Sequence, residues 1–311
     1  MVSIIIPVYN RASLVQRTLQ SVLKQTFRPL EVVLVDNSSS DGSLKVLQEF
    51  KTVHDGDGFK VIVGEESNRG ASWARNRGAE LSGGDYILFF DSDDVMEPYM
   101  IEHYIDVATK TGAEIVAGRA DVIDFNGGKH ENPYYETDLL VNNLFHACMV
   151  PSRCLLSRKL CESVGWWNVN LKVWDDWEFS MRMLLKKPKV AFYNKEVCSH
   201  VFLQRRSITG IDFSSKTGAW EQAIDAVECA VRQTTDSKER KRLLKYVDFR
   251  RITLSGLYIR EGRRDLATPL YEQAYERMRH DGVAKWLYPL LRSYIAAGGR
   301  GASHVVKMLV R

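Results

Sequence analysis

The sequence has few of the features that mark a disulfide-stabilised, zinc-binding or membrane-spanning protein. Its five cysteines are odd in number and form no C-x-x-C pair, which favours reduced thiols in a cytosolic protein. No run approaches the roughly 20 apolar residues that cross a bilayer. The apolar run Val2–Ile6 ends at Pro7 without a basic start or a cleavage site, so we expect a strand there rather than a signal peptide.

Two glycine-rich nucleotide fingerprints are also missing. No G-x-G-x-x-G follows the first predicted strand, and G-x-x-x-x-G-K-S/T does not occur in the sequence. The first strand leads instead into Pro7-Val8-Tyr9-Asn10-Arg11. A dinucleotide-dependent oxidoreductase and a P-loop kinase are therefore disfavoured.

Positive charge is concentrated in the last third of the chain. The 311 residues carry a net charge of +4, but residues 211–311 contain 19 Lys and Arg against 12 Asp and Glu. Such a basic region can contact an anionic membrane surface, or it can simply be the solvated face of helices. Both interpretations stay open, and we expect no nucleic-acid partner.

Strand and helix patterns alternate through the first 95 residues. Predicted strands cover Ile4–Val8, Glu31–Val35, Lys60–Val63 and Tyr86–Phe90, and predicted helices cover Ala12–Gln25, Ser43–Phe50 and Asn68–Leu81. Repeated β-α units predict an α/β fold with a mainly parallel sheet. Two more strands are predicted at Lys189–Tyr193 and Glu196–Val201. Helical patterns alone follow, which divides the chain into domains 1–210 and 211–311.

Three carboxylates follow the strand Tyr86–Phe90, in the run Asp91-Ser92-Asp93-Asp94. Ligands of parallel sheets bind beyond the carboxyl ends of the strands. Crowded carboxylates repel one another unless a cation joins them, and carboxylate oxygens suit Mg²⁺ or Mn²⁺. The run therefore predicts a metal–diphosphate site, although an acidic turn that caps the next helix would look similar.

The sequence has further acidic residues: Asp36, which follows the second strand, and the pair Asp175-Asp176, where a helix is predicted to start. Asp36 could accept a hydrogen bond from a base or a ribose, or could cap the helix near Ser43. The pair could supply a general base, or could be N-terminal acids of the helix.

These motifs together resemble glycosyltransferase family 2, the inverting sugar transferases of the GT-A fold. The resemblance covers about residues 1–210 and rests on motifs in a fixed order. They are Pro7–Asn10, Val35–Gly42, Asn68–Gly70 with Ala74–Gly78, Gly84–Ile87, Asp91–Asp94, and Gly165–Asn168 followed by Trp174–Phe179 and Arg182. One departure is Asp175, which stands where the family's motif has Glu.

The resemblance implies a role for each motif. The nucleotide-sugar would be bound by Pro7, Val8, Tyr9, Asn10, Arg11, Asp36, Arg75, Asp91, Ser92, Asp93 and Arg205. Within this set Asp36 would bind the base, with uracil favoured, and Asp91 would face the ribose. Asp93 would hold Mn²⁺ or Mg²⁺, and Asp94 would assist it or cap the helix after Pro98. Asp176 would be the catalytic base.

The acceptor site is predicted around the aromatic residues that flank this base. Trp166, Trp167, Trp174, Trp177 and Asp175 are its candidates, with one or two tryptophans facing the acceptor and the others packed in the core. His200 is left out of the metal site, because a histidine in a strand is more often structural.

The predicted function is metal-dependent transfer of a hexosyl or N-acetylhexosaminyl group from a nucleotide-diphosphate sugar, with UDP favoured. The acceptor would be a glycan or a lipid-linked oligosaccharide in bacterial surface polysaccharide synthesis. The C-terminal helices would pack on the catalytic domain, self-associate, or rest on the inner face of the membrane. The alternatives are a sugar nucleotidyltransferase, a glycoside hydrolase, and an inactive binding homologue.

Overall fold

The computed structural model describes residues 1–132, 136–203, 212–234, 236–279 and 282–299. Internal contacts divide the chain into two compact units. The first contains Met1–Glu136 and Cys148–Arg205, and the second contains Thr137–Ala147 and Arg206–Arg311. The segment 137–147 thus groups with the C-terminal helices, although the sequence pattern places it in the first domain.

The first unit contains a sheet of nine strands in its described residues: β1 Val2–Val8, β2 Leu30–Asp36, β3 Phe59–Glu65, β4 Tyr86–Phe89, β5 Val95–Met96, β6 Ile115–Ile123, β7 Lys129–Asn132, β8 Cys154–Ser157 and β9 Val190–Phe202. Their order across the sheet is β3-β2-β1-β4-β8-β6-β9-β5, with β7 paired to β6. The helices are α1 Val15–Leu23, α2 Ser43–His54, α3 Ala71–Leu81, α4 Met100–Thr111, α6 Arg158–Val164 and α7 Asp175–Leu185, while α5 Leu139–His146 belongs to the second unit.

The sheet is mixed. Strands β1 to β4 are parallel to one another, whereas β8 runs antiparallel to both β4 and β6. The predicted α/β fold with a mixed sheet is confirmed. Strand β1 is buried on both faces because helices cover both sides of the sheet. Ile4, Ile6 and Val8 pack with the stripe of α1 that contains Val15 and Leu19.

Two glycines allow the close packing that the other face requires. A Cβ on Gly78 of α3 would collide with the side chain of Ile5 in β1. At Gly84, which precedes β4, a Cβ would lie 2.5 Å from Ser3 Oγ and 2.7 Å from its backbone nitrogen. Both positions need a residue without a Cβ, so α3 and β4 can approach the centre of the sheet.

Strand β9 corrects one prediction. The sequence pattern indicates two strands, Lys189–Tyr193 and Glu196–Val201, because the polar Asn194 and Lys195 interrupt the apolar pattern. The structure has one strand, which pairs with β6 through register shifts at Gly118/Arg119 and Arg119/Ala120. The bulge accommodates the polar residues without ending the strand.

The helix after Pro98 corrects a second prediction, which named Asp94 as a possible N-cap of that helix. It begins at Met100 with Tyr99 as its N-cap, so Asp94 does not cap it. The Asp94 carboxylate instead accepts a hydrogen bond of 3.0 Å from the backbone N–H of Phe202, at the end of β9. The acidic loop after β4 is thereby attached to a strand that lies 108 residues further along the chain.

The second unit is helical throughout its described residues. It consists of α5, α8 Ala219–Arg232, α9 Ser237–Arg260, α10 Arg264–Met278 and α11 Gly282–Ala296. The long helix α9 packs against the other four. Its fully buried Arg251 forms ion pairs with Asp225, Glu228 and Asp248 at 2.6, 2.5 and 3.0 Å. In the described parts of both units, no helix combines the length and the apolarity needed to cross a membrane.

Candidate active site

The loops that follow β1 and β2 are tied together at the carboxyl edge of the sheet. The Asn10 backbone N–H donates to Ser39 Oγ at 3.0 Å, and Asn10 Oδ1 accepts from the Ser40 N–H at 2.8 Å. Asn10 has a left-handed backbone, with φ 49°, which asparagine tolerates better than most residues. The segment Pro7–Arg11 and the loop after Asp36 therefore form one side of the candidate site.

Asp36 is buried at this edge, and only one of its two carboxylate oxygens has a hydrogen-bond partner among the described residues. Its Oδ2 accepts a hydrogen bond of 3.0 Å from the Ser39 N–H, whereas its buried Oδ1 has no partner among the described residues. Buried polar atoms almost always have a partner, and an exception calls for an explanation. A ligand that donates one N–H or O–H to Oδ1 would complete the arrangement.

The acidic run after β4 lies at the same edge. Burial, and then the charge of Asp91, raise the pKa of Asp93 above its usual range. The same two causes raise the pKa of Asp94 to about 8. Among the described residues, the cation paired with Asp93 is Arg11, whose Nε lies 3.6 Å from Asp93 Oδ2. The cluster therefore holds more negative charge than its protein neighbours neutralise.

A divalent cation fits this donor set. Hard carboxylate oxygens under mutual repulsion are the ligands that Mg²⁺ and Mn²⁺ favour. Among the described residues, no group of three or more His, Cys, Asp or Glu side chains could hold a metal ion unaided. An ion bound at Asp93 would need water and phosphate oxygens as its other ligands, which is usual for Mg²⁺.

Arg75 connects the acidic run to the second pair of acids. Its Nη2 lies 3.0 Å from Asp91 Oδ1, and its Nη1 lies 3.0 Å from Asp175 Oδ2. Ser72, one turn earlier on α3, donates a hydrogen bond of 2.7 Å to the same Asp175 oxygen. Burial alone would lower the pKa of Arg75, but the charges of Asp175 and Asp91 outweigh it and raise that pKa. Acids that lie 84 residues apart in the sequence thus meet around one guanidinium.

Asp176 lies beside this bridge, in the first turn of α7. Burial and the charge of Asp175 raise its pKa to about 6, and the charge of Arg75 limits the rise. One carboxylate oxygen accepts a hydrogen bond of 2.8 Å from the Trp177 N–H. The carboxylate is therefore a stronger proton acceptor than an ordinary aspartate, yet it is ionised at neutral pH.

The four tryptophans have different environments. Trp177 and Trp167 are buried, and Trp167 stacks on Phe179 with ring centroids 4.5 Å apart. The Arg75 guanidinium lies 4.3 Å above the Trp167 ring. Trp174 is partly exposed next to Asp175, in a left-handed conformation with φ 51°. Trp166 is also partly exposed with a left-handed backbone, at φ 61°, so backbone strain alone does not distinguish the two. Trp174 stays an acceptor candidate because it precedes Asp175 directly.

Trp166 lines a surface cavity of about 380 Å³ together with Asn76, Ala79, Glu80, Ser82, Arg158, Glu162 and Gly165. Of the predicted site residues, Trp166 alone is among those that line it. This cavity contains none of the carboxylates described above, and we place no chemistry in it. The predicted Arg205 lies outside the described residues.

Three supporting residues escaped prediction. Arg17 donates a hydrogen bond to the Asp93 backbone carbonyl. Asn37 donates to the carbonyls of Glu66 and Asn68, at 3.0 and 2.7 Å, and fastens the loop before α3. Asn76 exchanges two hydrogen bonds of 3.0 Å with the Trp167 backbone. Asn37 and Asn76 belong to motifs quoted above, but no local pattern reveals partners so distant in sequence.

The fold is α/β, and several acidic residues meet at the carboxyl edge of its sheet. The sequence profile described as Glycosyl transferase family 2 matches residues 3–165, just over half of the chain. The chain belongs to glycosyltransferase family 2, and it is a glycosyltransferase; the resemblance seen in the motifs is confirmed.

Curated relatives agree with this assignment. Glycosyltransferase AglE of Haloferax volcanii is 34% identical over 135 residues, which cover 43% of each chain. The chain therefore matches less than half the length of AglE. The UDP-Glc:alpha-D-GlcNAc-diphosphoundecaprenol beta-1,3-glucosyltransferase WfgD of Escherichia coli is 28% identical over 232 residues, 73% of this chain and 87% of WfgD.

Solved structures share the fold. Residues 1–349 of S. aureus TarS, in complex with UDP-GlcNAc, match with a TM-score of 0.74 and 16% identity, over 99% of this chain and 90% of that one. The mannosyltransferase PcManGT from Pyrobaculum calidifontis, in complex with GDP-Man and Mn²⁺, matches with a TM-score of 0.58 and 16% identity, over 99% and 86%. At these identities the likeness concerns the fold, and it confirms the GT-A prediction.

Proposed function

We propose that the protein transfers a sugar, with inversion at the anomeric carbon, from a UDP-sugar to a hydroxyl group of a glycan or a lipid-linked acceptor. Bacterial surface polysaccharide synthesis is the setting we propose. The observation that carries the proposal is the double ion pair of Arg75 with Asp91 and Asp175, at 3.0 Å each. It brings the acids expected to bind the donor and the acids expected to activate the acceptor to one centre.

The unpartnered oxygen of Asp36 supports a uracil nucleotide. Its Oδ1 is buried and could accept the imide N–H of uracil. Both a relative and a structural neighbour are described with UDP-sugars, UDP-Glc for WfgD and UDP-GlcNAc for TarS. The segment Pro7–Arg11, tied to the loop after Asp36, would line the rest of the nucleotide pocket.

Asp93 would hold the divalent cation, with Asp91 and Asp94 adding negative potential. A bound cation neutralises charge that develops on the diphosphate leaving group. Burial and the charge of Asp91 raise the pKa of both Asp93 and Asp94, and this crowding of charge supports the placement. Arg11 and Arg17 face the same acids and would orient the acidic loop.

Asp176 would remove the proton from the acceptor hydroxyl. The acceptor oxygen forms a bond to the anomeric carbon as the bond from that carbon to the diphosphate oxygen breaks, and the proton moves to the Asp176 carboxylate. A single displacement of this kind inverts the configuration. The pKa of about 6 supports the role because the base is ionised at neutral pH and still accepts a proton well.

The test is to measure UDP release from a panel of UDP-sugars, with Mn²⁺ or Mg²⁺, in the presence and absence of lipid-linked and glycan acceptors. We expect release that depends on the metal and rises with the correct acceptor, together with an inverted anomeric product by nuclear magnetic resonance. Consumption of a nucleoside triphosphate, hydrolysis of a glycan without nucleotide, or retention of configuration would each contradict the proposal.

A further inference from the structure

The surface cavity beside Trp166 has the size of a binding site, although no bond is made or broken there. Its volume of about 380 Å³ lies within the range of about 300–1,000 Å³ that is usual for small-ligand sites. Its walls come from the second half of α3, from α6 and from the loop before α7, all of which belong to the first unit.

Trp166 forms a fixed wall of this cavity, because the backbone on both sides of its indole is held. Its N–H donates a hydrogen bond of 3.2 Å to the Cys161 carbonyl, and its own carbonyl accepts one of 2.7 Å from Arg182. Asn76 holds the next residue, Trp167, through two hydrogen bonds of 3.0 Å. The Trp166 ring itself is partly exposed and is therefore available to a ligand.

Arg158 is a second fixed wall. Its Nε donates to the Gly84 carbonyl at 2.6 Å, and its Nη1 donates to the Ala79 carbonyl at 3.3 Å. Its Nη2 donates to both the carbonyl and the hydroxyl of Ser82, at 3.0 and 2.7 Å. These bonds occupy four of the five N–H groups of a guanidinium. The guanidinium carbon also lies 5.9 Å from the centre of the Trp166 ring, so that ring already faces a cation of the protein.

Two glutamates supply hydrogen-bond acceptors. Glu162, in α6, is exposed, and its carboxylate has no ion-pair or hydrogen-bond partner among the described residues. Glu80, in α3, uses its Oε2 in an exposed pair with Arg77 at 3.0 Å. Carboxylates accept stronger hydrogen bonds from hydroxyl groups than neutral acceptors do.

We propose that this cavity binds a neutral sugar ring of the acceptor glycan, other than the ring whose hydroxyl reacts. An anion would be repelled by the two carboxylates, while most N–H groups of Arg158 already have partners. A cation on the Trp166 ring would be repelled by Arg158. A neutral sugar avoids both repulsions, because its apolar C–H face can lie on the indole while its hydroxyl groups donate to the carboxylates.

One layer of residues separates the cavity from the candidate active site. Asn76, which lines the cavity, is bonded to the Trp167 backbone, and the Arg75 guanidinium lies 4.3 Å from the Trp167 ring. The inference rests on the proposed function only in naming the acceptor glycan as the source of the sugar. Sugar binding measured without donor or metal can therefore fail while UDP release succeeds, and the reverse also holds.

The experiment is saturation-transfer nuclear magnetic resonance of the full chain with neutral disaccharides of glucose, galactose, mannose and N-acetylglucosamine. Choline and glucuronate are the cationic and anionic probes. The test variants are Trp166→Ala and Glu162→Ala. Their matched controls are Trp286→Ala, at a tryptophan of the second unit that is 77% exposed, and Glu49→Ala, at an exposed glutamate of α2.

We expect at least one neutral disaccharide to bind the wild type and both controls equally. Trp166→Ala should bind it about tenfold more weakly, which corresponds to about 1.4 kcal/mol. Glu162→Ala should bind it about threefold more weakly or worse, the effect of losing one hydrogen bond. Circular dichroism and thermal unfolding check that each variant is folded. Because Glu162 is exposed on its helix, its variant serves even if Trp166→Ala does not fold.

Three results would overturn the inference. The first is that none of the neutral disaccharides binds the wild type. The second is that the folded test variants bind the disaccharide as tightly as the wild type, which would place the sugar elsewhere on the protein. The third is tighter binding of choline or glucuronate than of every neutral disaccharide, which would assign the cavity to a charged ligand.

Discussion

Replacing Arg75 with methionine tests whether the two acidic groups form one functional centre. Arg75 is 12% exposed, and its two partners differ, since Asp175 is 22% exposed and Asp91 is 41% exposed. A hydrogen bond to a charged partner contributes about 2 kcal/mol when shielded, and a solvated ion pair contributes about 1 kcal/mol at most. Loss of both interactions therefore costs about 3 kcal/mol. If the transition state bears that cost, kcat/KM falls about 100-fold.

The variant also changes the pH dependence in a definite direction. The Arg75 charge lowers the pKa of Asp176, so its removal raises that pKa above about 6. The base works in its ionised form. A higher pKa leaves less ionised base at any given acidic pH, and the acidic limb of the kcat/KM profile should move to higher pH.

The assay is UDP release at saturating metal from about pH 5 to 9, a range that brackets the pKa of the base. Arg77→Met is the matched control, because Arg77 lies on the same helix in an exposed pair with Glu80 at 3.0 Å. It should change neither the rate nor the profile. Arg75→Lys keeps the charge but cannot span two carboxylates as a guanidinium does. We expect Arg75→Lys to keep the acidic limb of the kcat/KM profile at its wild-type pH. Its kcat/KM should lie between those of the wild type and Arg75→Met.

The reasoning would be refuted if Arg75→Met kept kcat/KM within twofold of the wild type and its acidic limb near pH 6. Calorimetry of UDP binding separates a second effect, since Arg75 is also predicted to contact the nucleotide. A loss confined to UDP affinity, with an unchanged profile, would assign Arg75 to the donor and remove the argument for a shared centre.

Four more predictions follow from single contacts. Asp176→Asn should leave UDP binding nearly intact and lower kcat by about 10²–10⁴-fold, while the wild-type rate should fall about tenfold per pH unit below pH about 6. Asp93→Ala should abolish metal-dependent UDP affinity, measured by calorimetry with and without Mn²⁺. Asp36→Leu should weaken UDP binding by about tenfold or more, because the variant cannot accept a hydrogen bond from the base. Arg251→Met should destabilise the second unit by about 3 kcal/mol in urea unfolding, since it leaves Asp248 and Glu228 with fewer partners in the interior.

Local patterns were enough to place the acids at the ends of secondary-structure elements. Asp36 ends β2, the acidic run follows β4, and Asp175 begins α7, as the alternation of apolar strands and helix signals predicts. Parallel strands bring their carboxyl ends to one edge, so a common site for Asp36 and Asp91 follows from topology.

The remaining contacts depend on pairings that no local pattern encodes. Arg75 and Asp175 are 100 residues apart, and Asn76 and Trp167 are 91 apart. The apolar pattern indicates which face of α3 is buried. It does not show that Asn76 pairs with Trp167, in the loop before α7, or that Arg75 pairs with Asp175, at the start of α7. The sequence also could not show which tryptophans are exposed, because aromatic residues both fill cores and line clefts.

The two neighbours of Asp176 act on it in opposite directions, and this balance suits a base for neutral pH. Burial and the charge of Asp175 raise the pKa of Asp176, and the charge of Arg75 lowers it. Arg75 is itself paired with Asp175, at 3.0 Å. Without Arg75 the pKa of the proposed base would be higher, and without Asp175 it would be lower. A pKa of about 6 keeps the carboxylate ionised while making it more basic than an isolated aspartate, which is the combination that activation of a hydroxyl group requires.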